Sequence, residues 1–245
     1  MTLLRGDALS EAFDQGSAAY DRLVAASPGY HGHLRRSARR LGLADGGAGL
    51  RVLDLGCGTG ASTEALIAAA PLARVTGVDA SAGMLERAAG MLERAAAKPR
   101  LTHVEFVHAP AEALAGRLAP GSFDAVFAGY LLRNVQDADA VLGLVRRLLV
   151  PSGRLAVHEY TLGGSPVDRV VWNAVCSTII RPAGRLTGDA RLYRHLQESV
   201  NTFDTAPEFA GRLRKAGFQG VRVLPLPGWQ TGITHTFVGR TAQEA

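Results

Sequence analysis

From Arg51 onward, short apolar runs rich in β-branched residues alternate with longer Ala- and Leu-rich stretches whose apolar positions recur at helical spacing. The short runs predict strands near 51–56, 74–79, 103–108, 123–128 and 154–160, and the stretches between them predict helices near 61–70, 81–97 and 137–149. Parallel neighbours need crossover connections, so this order implies an α/β fold: a doubly wound, mostly parallel sheet with helices on both faces. Before it, Tyr20, Leu23 and Val24 recur at helical spacing until Pro28-Gly29 breaks the pattern, and residues 1–45 read as helices. Residues 163–205 do not read as a strand-helix unit: Gly163-Gly164, Pro166, Pro182 and Gly184 punctuate a partly apolar stretch holding Trp172 and Ile179-Ile180. Both flanking segments are expected to form a lid. A helix near 207–216 stops at Gly217, and strands near 220–225 and 232–239 bring the count to seven, the last one antiparallel. The expected organisation is a single domain, 1–245, with a helical cap at 1–48, a ligand-binding core at 49–162, a helical lid at 163–205, and a C-terminal helix and hairpin at 206–245.

Composition agrees with a globular chain, since 47% hydrophobic and 20% charged residues exclude a disordered or collagen-like one. The net charge of +5 is scattered, and its densest cluster, Arg35, Arg36, Arg39 and Arg40, has the spacing of one solvated helix face, so no nucleic-acid partner is expected. The N-terminus carries charges where a signal peptide needs an apolar run, and no segment approaches the ~20 apolar residues of a membrane span. Cys57 and Cys176 stand too far apart for ligand spacing, and a reducing cytoplasm is the natural compartment, with weak attraction to anionic membrane left open. His31 and His33 form a His-x-His in a glycine-rich turn without further ligands at spacing, so no metal site is expected. One tandem repeat, GMLERAA at Gly83–Ala89 and Gly90–Ala96, keeps Met84 and Met91 within about 20° of one helix face and preserves a buried stripe.

The stretch VLDLGCGTGA, residues 52–61, runs an apolar strand into Gly56, Gly58 and Gly60 and then into a helix. Glycines at such a turn let backbone amides approach a ligand, and the helix N-terminus favours negative charge, so the ligand is nucleotide-like. With Ala61 following, and with Asp79 about 20 residues further on to accept ribose hydroxyls, the segment also satisfies a dinucleotide fingerprint. Asp54 breaks the tie, because a carboxylate beside the turn repels a pyrophosphate and attracts a ligand bearing an ammonium and a sulfonium. S-adenosylmethionine has those charges.

These residues resemble the class I S-adenosylmethionine-dependent methyltransferases, through Asp54–Gly60, Asp79 and Ser81-x-x-Met84-Leu85 in the right order. The resemblance implies that S-adenosylmethionine is held by Asp54, Gly56, Cys57, Gly58, Thr59, Gly60, Asp79, Ala80 and Met84, with Ala111 and Glu112 near the adenine. One position departs: Pro110 stands where the family commonly has an Asp or Asn bonding the adenine amino group, and proline offers no such side chain.

Tyr130–Tyr160, with its Leu132-Arg133-Asn134-Val135 motif, is similar to the ubiquinone/menaquinone biosynthesis C-methyltransferase family. Further matches are Tyr20-Asp21, Gly188-Asp189, Tyr193-x-x-Leu196-x-Glu198-Ser199 and Ala216-Gly217-Phe218. The resemblance implies a phenolic or quinol acceptor, with Arg133 stabilising its oxyanion, and Tyr20 and Asp79 near a water that takes the proton; Asn134 would position Arg133 or the acceptor. A competing reading of Arg133 is a salt bridge to Asp137 or Glu159. His235 is the second choice for the base, and His158 is expected in the core or at the rim. Peripheral membrane contact and a homodimer are compatible with this reading. The alternatives are a natural-product O- or C-methyltransferase on polyketides or aromatics, a protein that binds the cofactor without catalysis, and a nicotinamide dehydrogenase, disfavoured by Asp54.

Overall fold

A computed structural model describes residues 6, 9, 11, 29–95, 104–187 and 190–243. Tyr20, Asp21, Leu23, Val24, Gly188 and Asp189 lie outside them, as do the side chains of the second GMLERAA copy. Seven strands form one sheet: β1 (Arg51–Leu55), β2 (Arg74–Asp79), β3 (Val104–His108), β4 (Phe123–Gly129), β5 (Leu149–Tyr160), β6 (Gln219–Pro225) and β7 (Thr234–Arg240). Their order is β3-β2-β1-β4-β5-β7-β6, parallel from β3 to β5, with β7 antiparallel to both of its neighbours. The chain reverses its direction of winding between β1 and β4, which opens a crevice beyond the carboxyl ends of those strands.

Helices cover both faces. On one side α1 (Tyr30–Arg39) and α2 (Ala61–Ala69) pack Leu34, Ala38, Ala65 and Leu66 against Val52, Val75, Phe127 and Val238. On the other, α4 (Ala138–Leu148) and α8 (Ala206–Lys215) pack Leu142, Val145, Phe209 and Leu213 against Leu53, Leu55, Val126, Leu155 and Phe237. The sheet positions alternate between these two cores because successive strand residues face opposite ways. Between α2 and α4 lies α3 (Ala82–Ala95), whose Met84 and Leu85 are buried.

The segment expected as a punctuated lid is almost continuously helical. It comprises α5 (Pro166–Val175), a π turn (Cys176–Ile180), α6 (Arg181–Thr187) and α7 (Ala190–Thr202). Pro166 sits at the first helical position behind a Ser165/Asp168 capping box, where a missing N–H costs nothing. Leu162, Trp172, Cys176, Val200 and Ile233 make a third, smaller core beneath it.

Three local expectations are corrected. β5 starts at Leu149 rather than near 154, with an irregularity at Pro151-Ser152-Gly153 where Ser152 stands at φ +60° and the ladder to β4 shifts register; Ser152 N–H donates to Ala242 O at 3.0 Å. His31 and His33 are helical, since Gly29 (φ +88°) ends the turn one residue before α1. Arg40 leaves the solvated face: its guanidinium donates to Leu224 O and Thr236 Oγ1 at 2.7 Å and to Pro225 O at 2.9 Å, clamping α1 to β6 and β7.

Candidate active site

The turn after β1 is built by three glycines in left-handed conformation, Gly56 (φ +74°), Gly58 (φ +54°) and Gly60 (φ +94°). Gly60 is the residue from which α2 starts, and a side chain at Gly56 would press on Leu131 at 2.9 Å. At Gly58 a Cβ would meet nothing within 4 Å, so the loop presents bare backbone to open space. Beneath the loop Asp54 is fully buried, its Oδ2 accepting from Thr63 Oγ1 at 2.6 Å and Ser62 Oγ at 2.8 Å. Its Oδ1 has no partner among the described residues, and burial lifts the carboxyl to about 7. An orphaned buried acceptor of this kind suits a cationic ligand group, and an ammonium would return it to the ionised form. Burial likewise pushes the Cys57 thiol well above its ordinary value, so Cys57 is a packing residue against Gly77.

Asp79 ends β2. Its Oδ2 accepts from Gly58 N–H at 2.8 Å and its Oδ1 from Ser81 N–H at 2.9 Å. The acid therefore orients the glycine loop as well as facing the crevice. Pro110 precedes a 3-10 turn (Ala111–Leu114) with extended backbone, φ −66° and ψ 148°. Glu112 Oε1 accepts from Gln136 N–H at 3.1 Å, and His108 Nε2 bonds Ala80 O at 2.9 Å.

A cavity of about 660 Å³ joins this region to the turn after β4. Of the residues expected to hold cofactor, Gly56, Gly58, Asp79, Ala80, Met84, Ala111 and Glu112 line it; so do Arg133 and Asn134 from the acceptor set, together with Pro110. Asp54, Cys57, Thr59 and Gly60 do not line it, and neither does His235. His235 is buried between β5 and β6, with Nδ1 bonded at 3.0 Å to both Oγ1 and the carbonyl of Thr161, and burial lowers its pKa. It is placed to hold strands together rather than to meet a ligand. Gly6, Leu9 and Glu11 also line the cavity.

Arg133 is only 8% exposed and makes a short ion pair with Glu159, a carboxylate with no exposed surface. It also donates to Tyr130 O at 3.0 Å, and its guanidinium lies over the rings of Tyr130 and Tyr160 at 5.7 and 5.5 Å. The salt bridge to Glu159 and the place on the cavity wall thus coexist; the pair to Asp137 does not form, since Asp137 caps α4 through Ala140 N–H. Burial raises the Glu159 pKa, opposed by Arg133 and by the N–H groups of Tyr160 and Arg133. Asn134 Nδ2 donates to Tyr130 O at 3.0 Å, so its Oδ1 must accept from His195 Nε2 at 3.1 Å, a contact from α7 to the cavity wall.

Several residues had no individual signal in the sequence. Tyr130 stands at φ +57° on the cavity wall, its hydroxyl 2.9 Å from His158 Nε2; His158 Nδ1 bonds Ser37 Oγ at 2.9 Å, and Ser37 bonds Thr236 at 2.7 Å. Full burial lowers His158 to about 3, so it is a neutral core residue. Its strand position hinted at this; the partners come from α1 and β7. No group of three potential metal ligands occurs among the described residues.

Comparison with known proteins decides between the nucleotide-like ligands. Residues 1–239 match the ubiE/COQ5 methyltransferase family. The chain belongs to that family. Similar members include the ubiquinone/menaquinone biosynthesis C-methyltransferase UbiE of Syntrophotalea carbinolica, 35% identical over 196 residues (78% of this chain, 77% of that one). The demethylmenaquinone methyltransferase of Clavibacter sepedonicus is 35% identical over 220 residues (87% and 83%). The 2-phytyl-1,4-naphtoquinone methyltransferase of Thermosynechococcus vestitus is 32% identical over 190 residues (76% and 80%). Among solved structures, a SAM-dependent methyltransferase from Aquifex aeolicus superposes with a TM-score of 0.60 at 16% identity, covering 88% of this chain and 94% of that one. The [4+2]-cyclase SpnF gives 0.70 at 16% identity (100% and 98%), a likeness of fold alone. The ubiE/COQ5 member described here is an S-adenosylmethionine-dependent methyltransferase. The bare Gly58 backbone and the Asp79 carboxylate, both on the cavity wall, fit that cofactor.

Proposed function

We propose that this enzyme methylates a ring carbon of a quinol in quinone biosynthesis. The observation that supports the reading is a cavity that runs from Gly58 and Asp79 to Arg133 and Asn134, so that the proposed cofactor end and the proposed anion-stabilising end share one space. Bound S-adenosylmethionine supplies an electrophilic methyl group. Asp79 would hold the ribose hydroxyls and Ala111 and Glu112 the adenine side, while Asp54, beneath the glycine loop, would favour the ammonium through its charge. At the other end Arg133 is a permanent cation whose orientation is set by Glu159 and by the Tyr130 and Tyr160 rings. Loss of the phenol proton places negative charge on oxygen and on the ortho carbon, and a preorganised cation beside the oxygen stabilises that charge; the ortho carbon would then bond the methyl group as the methyl–sulfur bond breaks, and the ring proton would leave afterwards, restoring the aromatic ring. Tyr20 and an ordered water are the proposed route for the phenol proton.

The name of the Thermosynechococcus vestitus relative supports an acceptor that carries an isoprenoid tail such as a phytyl chain; so apolar a tail would partition into a bilayer, where the enzyme would meet it. No helix among the described residues is long and apolar enough to cross a membrane.

Incubating the protein with methyl-labelled S-adenosylmethionine and a bacterial lipid extract tests the reading: label is expected in a quinone, bound to carbon and stable to ether cleavage. Label in another metabolite, or on oxygen, overturns it. Arg133→Lys tests the site, because lysine keeps a charge beside buried Glu159 yet lacks the planar fork. Melting close to wild type and cofactor affinity within about threefold are expected, with turnover reduced ~10²-fold. Undiminished turnover would remove Arg133 from the acceptor.

A further inference from the structure

The lid has an outer face that the proposed chemistry does not use. α5 turns Trp172 and Cys176 inward, while Val167, Val170 and Val171, at helical spacing, are 64%, 67% and 36% exposed. The π turn that follows, with its wider i→i+5 bonding, rotates less per residue than an α turn and brings Ile179, 63% exposed, round towards Val171. Trp229, 55% exposed, stands on the β6–β7 connection, which is tied to the foot of α5 by Gly163 N–H donating to Gly232 O at 2.8 Å. Five of the six large apolar side chains exposed among the described residues are therefore gathered on the lid and the loop joined to it. A contiguous stripe of this kind marks a contact surface.

The charges around the stripe select its partner. Among the described residues of the lid, the exposed charged side chains are Arg169, Arg181, Arg185, Arg191 and Arg194. Asp168, on the same helix as the valines, is occupied in the capping box with Ser165 and abuts Gly232. We propose that this face, centred on Val170, Val171 and Ile179 and continued by Arg181 and Arg185, docks on an anionic lipid bilayer. The apolar side chains enter the boundary between headgroups and acyl chains, and the guanidinium groups meet lipid phosphates. A second copy fits less well, because a two-fold interface would bring two arginine-rich faces together. The inner side of the same helix reaches the site: Trp172 packs on Tyr160 with ring centroids 5.4 Å apart, and Tyr160 covers the Arg133 guanidinium. Docking would then set the Arg133 end of the cavity near the membrane, an advantage that rests on the reading of the acceptor as an isoprenoid quinol.

The test is sedimentation of the full-length protein with phosphatidylcholine vesicles, with and without about one third phosphatidylglycerol. Binding is expected to the anionic vesicles and to weaken with salt. The pairs Val170→Glu/Ile179→Glu and Arg181→Glu/Arg185→Glu should each reduce it by roughly tenfold or more, with melting and S-adenosylhomocysteine affinity unchanged. Vesicle binding without preference for anionic lipid, variants that sediment like wild type, or no binding at all overturn the proposal. So does a wild-type dimer in analytical ultracentrifugation that the same variants dissociate in the absence of vesicle binding. These vesicles hold no methyl acceptor, so failure here leaves the proposed methylation standing, and failure to label a quinone leaves the binding result standing.

Discussion

Asp54 and His158 are both fully buried titratable side chains, and they respond to pH in opposite directions. Burial lifts Asp54 to about 7, so between about pH 4 and 7 the folded state holds a proton that the unfolded state has released, and stability falls as pH rises through that window. Burial lowers His158 to about 3; between about pH 3 and 6.5 the unfolded state binds the extra proton, and stability rises with pH. The two slopes oppose each other over most of their range, so the acid must be read as a difference. Asp54→Asn is expected to gain on the wild type by up to about 1.4 kcal/mol per unit as the pH climbs from about 4 to 7, in urea unfolding of the unliganded proteins. A difference independent of pH would show that Asp54 stays ionised. Pro110 offers a second residue-scale test. Its extended backbone is one that Asp adopts readily as a cap, and it lines the cavity where the family resemblance places an acceptor for the adenine amino group. Pro110→Asp should tighten S-adenosylhomocysteine binding by about 1 kcal/mol, or roughly fivefold, in calorimetry. Weaker binding by a well-folded variant would mean that the adenine pocket has been reshaped around the proline.

At the scale of elements, the lid is fastened at its foot. Besides the Gly163–Gly232 hydrogen bond, a side chain at Gly232 would collide with the Asp168 carboxylate that completes the α5 capping box. Gly232→Ala should displace that carboxylate, cost about 1 kcal/mol and lower the melting temperature by about 2–4 °C. An unchanged midpoint would show that the cap does not matter to the lid. The extent of the lid helices was hard to read because Pro166 and Pro182 look like breakers in a linear pattern. Within the fold Pro166 stands at the first position of α5, where proline is tolerated, and Pro182 follows directly on the π turn, where the regular i→i−4 ladder is already interrupted. Gly184 also looks like a break, yet it is buried, and a Cβ there would meet the Tyr193 ring at 2.6 Å; its smallness is a packing requirement between α6 and α7.

Across the whole molecule, one sheet separates two main cores and leaves its ligand crevice where the winding reverses. A ligand that binds only the folded chain stabilises all of it. S-adenosylhomocysteine at about 100 times its Kd should contribute roughly 2.7 kcal/mol and raise the melting temperature by about 5–10 °C, whereas NAD should not. A comparable shift with NAD would contradict the charge argument built on Asp54.

Periodicity alone was sufficient to place the strands and helices between Arg51 and Tyr160, the start of β5 excepted, because each element shows its own repeat. The glycine turn with Asp54 and Asp79 was legible for a similar reason: left-handed backbone and a strand-end acid are local requirements. Partnerships between distant residues were less legible. Asp137 and Glu159 were both named as salt-bridge partners for Arg133 with no means of choosing between them, and nothing pointed to His195 reaching Asn134 across 61 positions or Ser37 meeting His158 across 121. Arg40 looked like part of a solvated face until β6 and β7 offered carbonyls to it, and His235 looked available until Thr161 took its ring nitrogen. A one-dimensional pattern records which way a side chain faces its own element; which groups meet it there depends on how the sheet is ordered and how the helices are laid across it, and only the tertiary structure decides that.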